Sequence, residues 1–247
     1  MKRFYMFAAG LFLTVTMAAC AVAGTSAEYP STKIRYKMTV EVETPEGIKT
    51  GSSVREISMV SRPEMLAEGN DTHMTLEKGE AVVVDLGERG VLFALLSGPS
   101  SGSDHDVWVI LRAFPSSCPE GAVSKCSIRY YSNIKTPETK MLDLNNYPTF
   151  VKFKDTAEPL SVEIVSKYAE RSMPDGYGGE ARSIKEVFGS GVSIKSVKIE
   201  VTKDIARNGE LARVLPWLKN IKGRYLHGGS STLGAPYGLS SRNFFKE

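Results

Sequence analysis

Histidine is the scarcest chemically versatile side chain here: His73, His105 and His227 are the only three in 247 residues. No H-x-x-H or H-E-x-x-H spacing occurs, so no helix turn presents two imidazoles to one metal ion. Neither a metal centre nor a cofactor is therefore expected. Long apolar runs are also missing. The longest, Phe4 to Ala19, spans sixteen residues, short of the roughly 20 a helix needs to cross a bilayer core. Val91 to Leu96 is brief, and Val107 to Phe114 is interrupted by Arg112, so no transmembrane helix is expected beyond the leader. An excess of one charge is the third absence. The formal charge is only +3, and two of those charges, Lys2 and Arg3, belong to the leader. A polyanion-binding protein carries a clustered basic excess, so no nucleic-acid partner is expected.

What is present begins with export. Lys2 and Arg3, the apolar run and the small residues Ala18 and Ala19 make up a secretory leader, residues 1–19. Met17-Ala18-Ala19-Cys20 resembles a bacterial lipobox, which would make Cys20 an acylated N-terminus and a membrane anchor. Ala21-Val22-Ala23 is the competing site, and cleavage there would discard Cys20. Ala21 is not the aspartate that retains such lipoproteins at the inner membrane, so the expected address is the periplasmic side of the outer membrane, with free secretion into the periplasm as the alternative. Cys118 and Cys126 then remain as an even pair in an oxidising compartment, which reads as a disulfide.

The mature chain divides into a linker, 20–32, one antiparallel-sheet domain, 33–222, and a Gly/Ser-rich arm, 223–247. Ile34 to Glu43 alternates apolar and polar residues strictly, the pattern of a strand with one wet face. Thr44-Pro45-Glu46-Gly47 is a turn, and the extended character resumes through Val60, with Val54, Ile57 and Met59 as apolar positions. Ser61 to Lys78 is a polar stretch. Glu80–Leu86 and Val91–Leu96 flank Gly87-Glu88-Arg89-Gly90 as a second hairpin of more buried strands. Asp104 to Phe114 reads as a helix and Ser127 to Ser132 as a strand. Further strands are expected at 147–153, 160–165 and 192–201. Ser183 to Phe188 reads as a capped helix stopped by Gly189, and Glu210 to Ile221 as helical on both sides of Pro216. The fold class is α+β, mainly antiparallel β hairpins with two or three short helices. The composition of the arm argues against core burial, and Tyr225, Tyr237, Phe244 and Phe245 within it either pack back or dock on a partner.

The blocks Thr39–Gly47, Thr50–Val54 and Gly79–Gly87, with Leu215-Pro216-Trp217-Leu218, resemble those of uncharacterised exported proteins of Gram-negative bacteria. The resemblance implies a bacterial envelope protein and no particular activity.

Candidate chemistry is sparse. Gly98-Pro99-Ser100-Ser101-Gly102 matches the G-x-S-x-G nucleophile elbow, and His227 follows in the right chain order. The hairpins before it are not the parallel sheet that such an elbow requires, and a Ser/Gly run is ordinary loop composition. Asp104 and Asp106 around His105, and Asp175 to Glu180, could hold calcium but lack EF-hand spacing. Trp108 and Trp217 occupy core-like helical positions. The expectation is a non-catalytic envelope protein with a binding or structural role towards another envelope protein or a surface polymer. The alternatives are a periplasmic serine hydrolase using Ser100 and an inhibitor or immunity-type protein.

Overall fold

A computed structural model describes residues 30–61, 72–98, 105–118, 124–168, 173–174, 180–226 and 238–247. Along the chain run β1 (Ser31–Thr44), β2 (Gly47–Ser61), β3 (Thr72–Glu80), β4 (Val82–Asp85), β5 (Val91–Ala94), α1 (His105–Ala113) and α2 (Lys125–Ser132). Next come β6 (Glu138–Met141), β7 (Phe150–Phe153), β8 (Val162–Ser166), β9 (Met173–Pro174), β10 (Glu180–Ser183) and α3 (Ile184–Phe188). β11 (Ser193–Val201), α4 (Glu210–Val214) and β12 (Phe245–Lys246) complete the set. The strands form two six-stranded sheets, ordered β12-β3-β2-β1-β11-β6 and β4-β5-β7-β8-β10-β9. Every pairing is antiparallel except β8 with β10, so the class is mixed α+β and mostly antiparallel.

The first sheet is built on the long hairpin. Thr44 pairs with Gly47 across a two-residue loop, and the register runs unbroken to Ser31 opposite Val60. Gly47 has φ +116°, a conformation that disfavours a Cβ. Alternation sends Ile34, Tyr36, Met38, Val40 and Val42 into the protein. Counting back from the turn places Arg55 opposite Tyr36, and directly opposed residues share a face. Arg55, Ile57 and Met59 therefore point inwards, while Val54 lies on the outer face.

In the second sheet β4, β5 and β7 are largely buried on both sides, as continuous apolar runs require. Val82, Val84, Leu92, Ala94 and Phe150 face the first sheet and the helices in one core. Val83, Phe93, Leu95, Val151 and Phe153 face the opposite way, into a second core with Leu211, Leu215 and Leu218. The sheets approach closely at Gly51, where a Cβ would collide with the Val83 carbonyl.

Three expectations are corrected. Part of the polar stretch, from Thr72 to Lys78, belongs to strand β3: its alternation is muted because Met74 and Leu76 are only partly buried near the sheet edge. Ser127–Ser132 is helical. The Ser124 side chain caps that helix by accepting the Ser127 N–H, and Ile128 and Tyr131, three residues apart, reach the core. The arm does bury core. Leu226, Leu239 and Phe244 are sealed in the second core, and β12 adds to β3 through Phe245 opposite Glu80. Backbone hydrogen bonds from Ala81 to Phe244 and from Leu96 to Asn243 join the end of the chain to the second sheet.

The capped helix conforms to expectation. Ser183 and Glu186 form a reciprocal capping box at α3, and Gly189 ends it at φ +98°. α4 has no capping side chain of its own. Glu80 supplies one from β3, accepting the Gly209 N–H at 2.9 Å and the Glu210 N–H at 3.3 Å. Burial raises the Glu80 carboxyl above its usual range despite those donors.

Candidate functional site

Polar side chains collect where α1 meets the seam between the sheets. Tyr36, Arg55, Ser97, His105, Asp106 and Thr149 are all buried there. The Tyr36 hydroxyl donates to the Asp106 carbonyl at 2.5 Å, tying the first turn of α1 to the centre of β1. Arg55 is 0% exposed. Its Nη2 donates to the Leu95 carbonyl at 3.4 Å, while Nε and Nη1 have no partner. Its aliphatic stem packs against Gly79, where a Cβ would come within 2.9 Å of Cγ.

His105 Nε2 lies 2.8 Å from the Asn146 carbonyl, an acceptor only, so Nε2 carries the proton. Nδ1 has no partner. Burial lowers the imidazole pKa to about 4, and the nearby Arg55 adds to the fall. Burial likewise pushes the Tyr36 phenol far above its ordinary value, and Arg55 offsets only part of that rise. Near neutral pH neither ring changes charge. This cluster fixes α1 to both sheets; its imidazole and phenol are poorly suited to moving protons.

Two grooves open on the surface, the first of them beside this cluster. One, of about 510 Å³, runs between Met74 and Leu76 of β3, the start of α1 and the chain end at Arg242 and Phe245. An ion pair between Lys222 and Glu247 spans its rim. The other, of about 680 Å³, opens where β1 begins and β11 ends, against the end of α2.

Cys118 and Cys126 are joined as a disulfide, with Cα atoms 5.8 Å apart. Cys20, Ser100 and His227 lie outside the described residues, as do Asp104, residues 175–179 and Tyr237. Trp108 is 40% exposed on α1, contrary to the core position expected of it: its neighbours Val107 and Val109 turn inwards instead. Trp217 is partly buried, donates Nε1 to the Thr156 carbonyl at 2.6 Å and meets Phe153 edge-on. Among the described residues no helix is long and apolar enough to cross a membrane, and no group of three metal-ligating side chains converges.

Sequence reasoning passed over Arg55, although the hairpin held the signal: Tyr36 is inward by alternation, and the turn pairs it with Arg55. No family model matches the chain, and no curated protein or solved structure shows significant similarity to it.

Proposed function

We propose that the chain is a non-catalytic protein of the bacterial envelope, exported to the periplasm, anchored through acylated Cys20, and acting by binding. The observation that carries this reading is the Cys118–Cys126 disulfide, a bond that persists in oxidising compartments and is rare in reducing ones. It agrees with the leader, which ends at Cys20 in a lipobox-like sequence. The binding role draws support from the buried polar cluster, whose hydrogen bonds hold secondary structure together, and from the two open grooves.

Thiol trapping in cells tests the compartment. With the leader intact, Cys118 and Cys126 should resist alkylation until a reductant is added; deletion of the leader should leave both thiols reactive. Free thiols in the parent would sink the reading. Labelling with a fatty acid, lost in Cys20→Ser, tests the anchor, and stoichiometric modification of Ser100 by a serine-reactive phosphonate would overturn the non-catalytic assignment.

A further inference from the structure

The groove at the start of β1 is basic. Lys33 and Arg35 of β1 line it with Lys135, after α2, and Lys203, after β11; no Asp or Glu is among its lining residues. Glu56 offsets only the β1 pair, at 2.5 Å from Arg35 and 3.5 Å from Lys33. Glu138 nearby is engaged by Lys140 at 3.4 Å. Lys135 and Lys203 are exposed and make no ion pair with any described residue.

The end of α2 does not cancel this charge. A helix C-terminus presents bare carbonyls, but here Ser132 Oγ donates to the Ile128 carbonyl and Asn133 Nδ2 to that of Arg129. The Tyr130 carbonyl accepts the Asn133 N–H. An adjoining groove carries Arg129 and Tyr130 beside the disulfide, and Tyr130 is 39% exposed. Cations beside an exposed tyrosine suit a surface that is charged outside and apolar within.

The chain enters the domain at the same place. β1 begins at Ser31, two residues before Lys33, and residues 21–30 separate it from Cys20. At ~3.5 Å per residue that tether spans at most about 35 Å, so an anchor at Cys20 holds this end of the domain within reach of the bilayer. We propose that the basic mouth formed by Lys33, Arg35, Lys135 and Lys203 docks on the bilayer that holds the anchor, taking the phosphates of anionic phospholipid headgroups. The proposal rests on the Cys20 anchor reading for its geometry. A tethered surface needs only weak intrinsic affinity, because the tether supplies a high effective concentration.

The test uses the chain from residue 20 onward with Cys20→Ser, which retains every described element and lacks the acyl group. It should co-sediment with vesicles of phosphatidylethanolamine and phosphatidylglycerol at low salt, release at raised salt, and ignore pure phosphatidylcholine. The Lys135→Gln/Lys203→Gln double variant should bind about 25-fold more weakly, at about fivefold per cation. Lys125→Gln, an exposed control outside the groove, should change binding much less, with melting curves unchanged for both variants. No binding to anionic vesicles, or equal binding by the double variant, overturns the docking surface. Equally tight binding of inorganic phosphate without vesicles, measured by calorimetry, also overturns it and assigns the mouth to a small anion. Fatty-acid labelling of Cys20 in the parent is scored separately. Label without vesicle binding rejects the docking alone, whereas vesicle binding without label rejects the anchor and supports the surface.

Discussion

The two sheets solve burial differently. The first keeps one wet face: Arg35, Lys37, Thr39 and Glu41 alternate with the sealed residues of β1, and pairs such as Glu41 with Lys198, at 2.7 Å, decorate the outside. The second is covered on both faces, by the first sheet and helices on one side and by α4, the 3-10 turn at Pro216–Ile221 and the chain end on the other. A sheet with one wet face draws its core contacts from one side only. The second sheet must be supplied from two directions, and the second supplier is the segment whose composition reads least like core.

The strongest way to break that comparison is to uncover the second sheet. Phe244 is fully buried, 5.9 Å from Phe153 between ring centroids, and Phe244→Ala should cost about 3–5 kcal/mol in urea denaturation. A loss under about 1 kcal/mol would mean that the chain end only lies over the sheet.

The seam between the sheets comes next. His105 titrates near pH 4 when folded, below its ordinary 6.5, so the unfolded chain takes up this proton first. Its contribution is therefore complete above about pH 6.5 and is lost as pH falls towards 4, a change of about 3 kcal/mol. His105→Gln can still donate to the Asn146 carbonyl, and should flatten stability against pH across that window. An unchanged slope would place the imidazole in contact with water. Arg55→Met keeps the aliphatic packing on Gly79 and removes a buried cation with two unpartnered nitrogens; thermal melts should show it neutral to about 1–2 kcal/mol more stable. A large destabilisation would show that the charge itself holds the seam.

The smallest effect belongs to the wet face. Thr39→Ala should stay within about 0.5 kcal/mol, and a larger cost would show that this face is covered in the assembled protein.

These differences explain what could be read beforehand. Ile34 to Glu43 was legible because alternation and a tight turn act locally. Val82–Val84 and Leu92–Leu95 were legible as buried strands, although what covers their second face was not. β3 was hidden because it lies near the sheet edge, with few fully buried side chains. α2 was misread because Ile128, Tyr130 and Tyr131 favour strands, while the Ser124 cap and the packing of Ile128 and Tyr131 impose a helix. In the candidate site, the burial of Asp106 and the neutrality of His105 depend on contacts with distant segments, such as Asn146, which no local pattern encodes. Tyr36 was legible by alternation, and Arg55 could have been found by counting along the hairpin.

The covering of the second sheet by residues 238–247 also bears on the order in which the protein can fold. Phe93, Leu95 and Val151 leave the ribosome long before Leu239 and Phe244 can reach them. Until then the second core lacks part of its cover. The second core therefore closes only once Leu239 and Phe244 have been made, well after the strands that they cover.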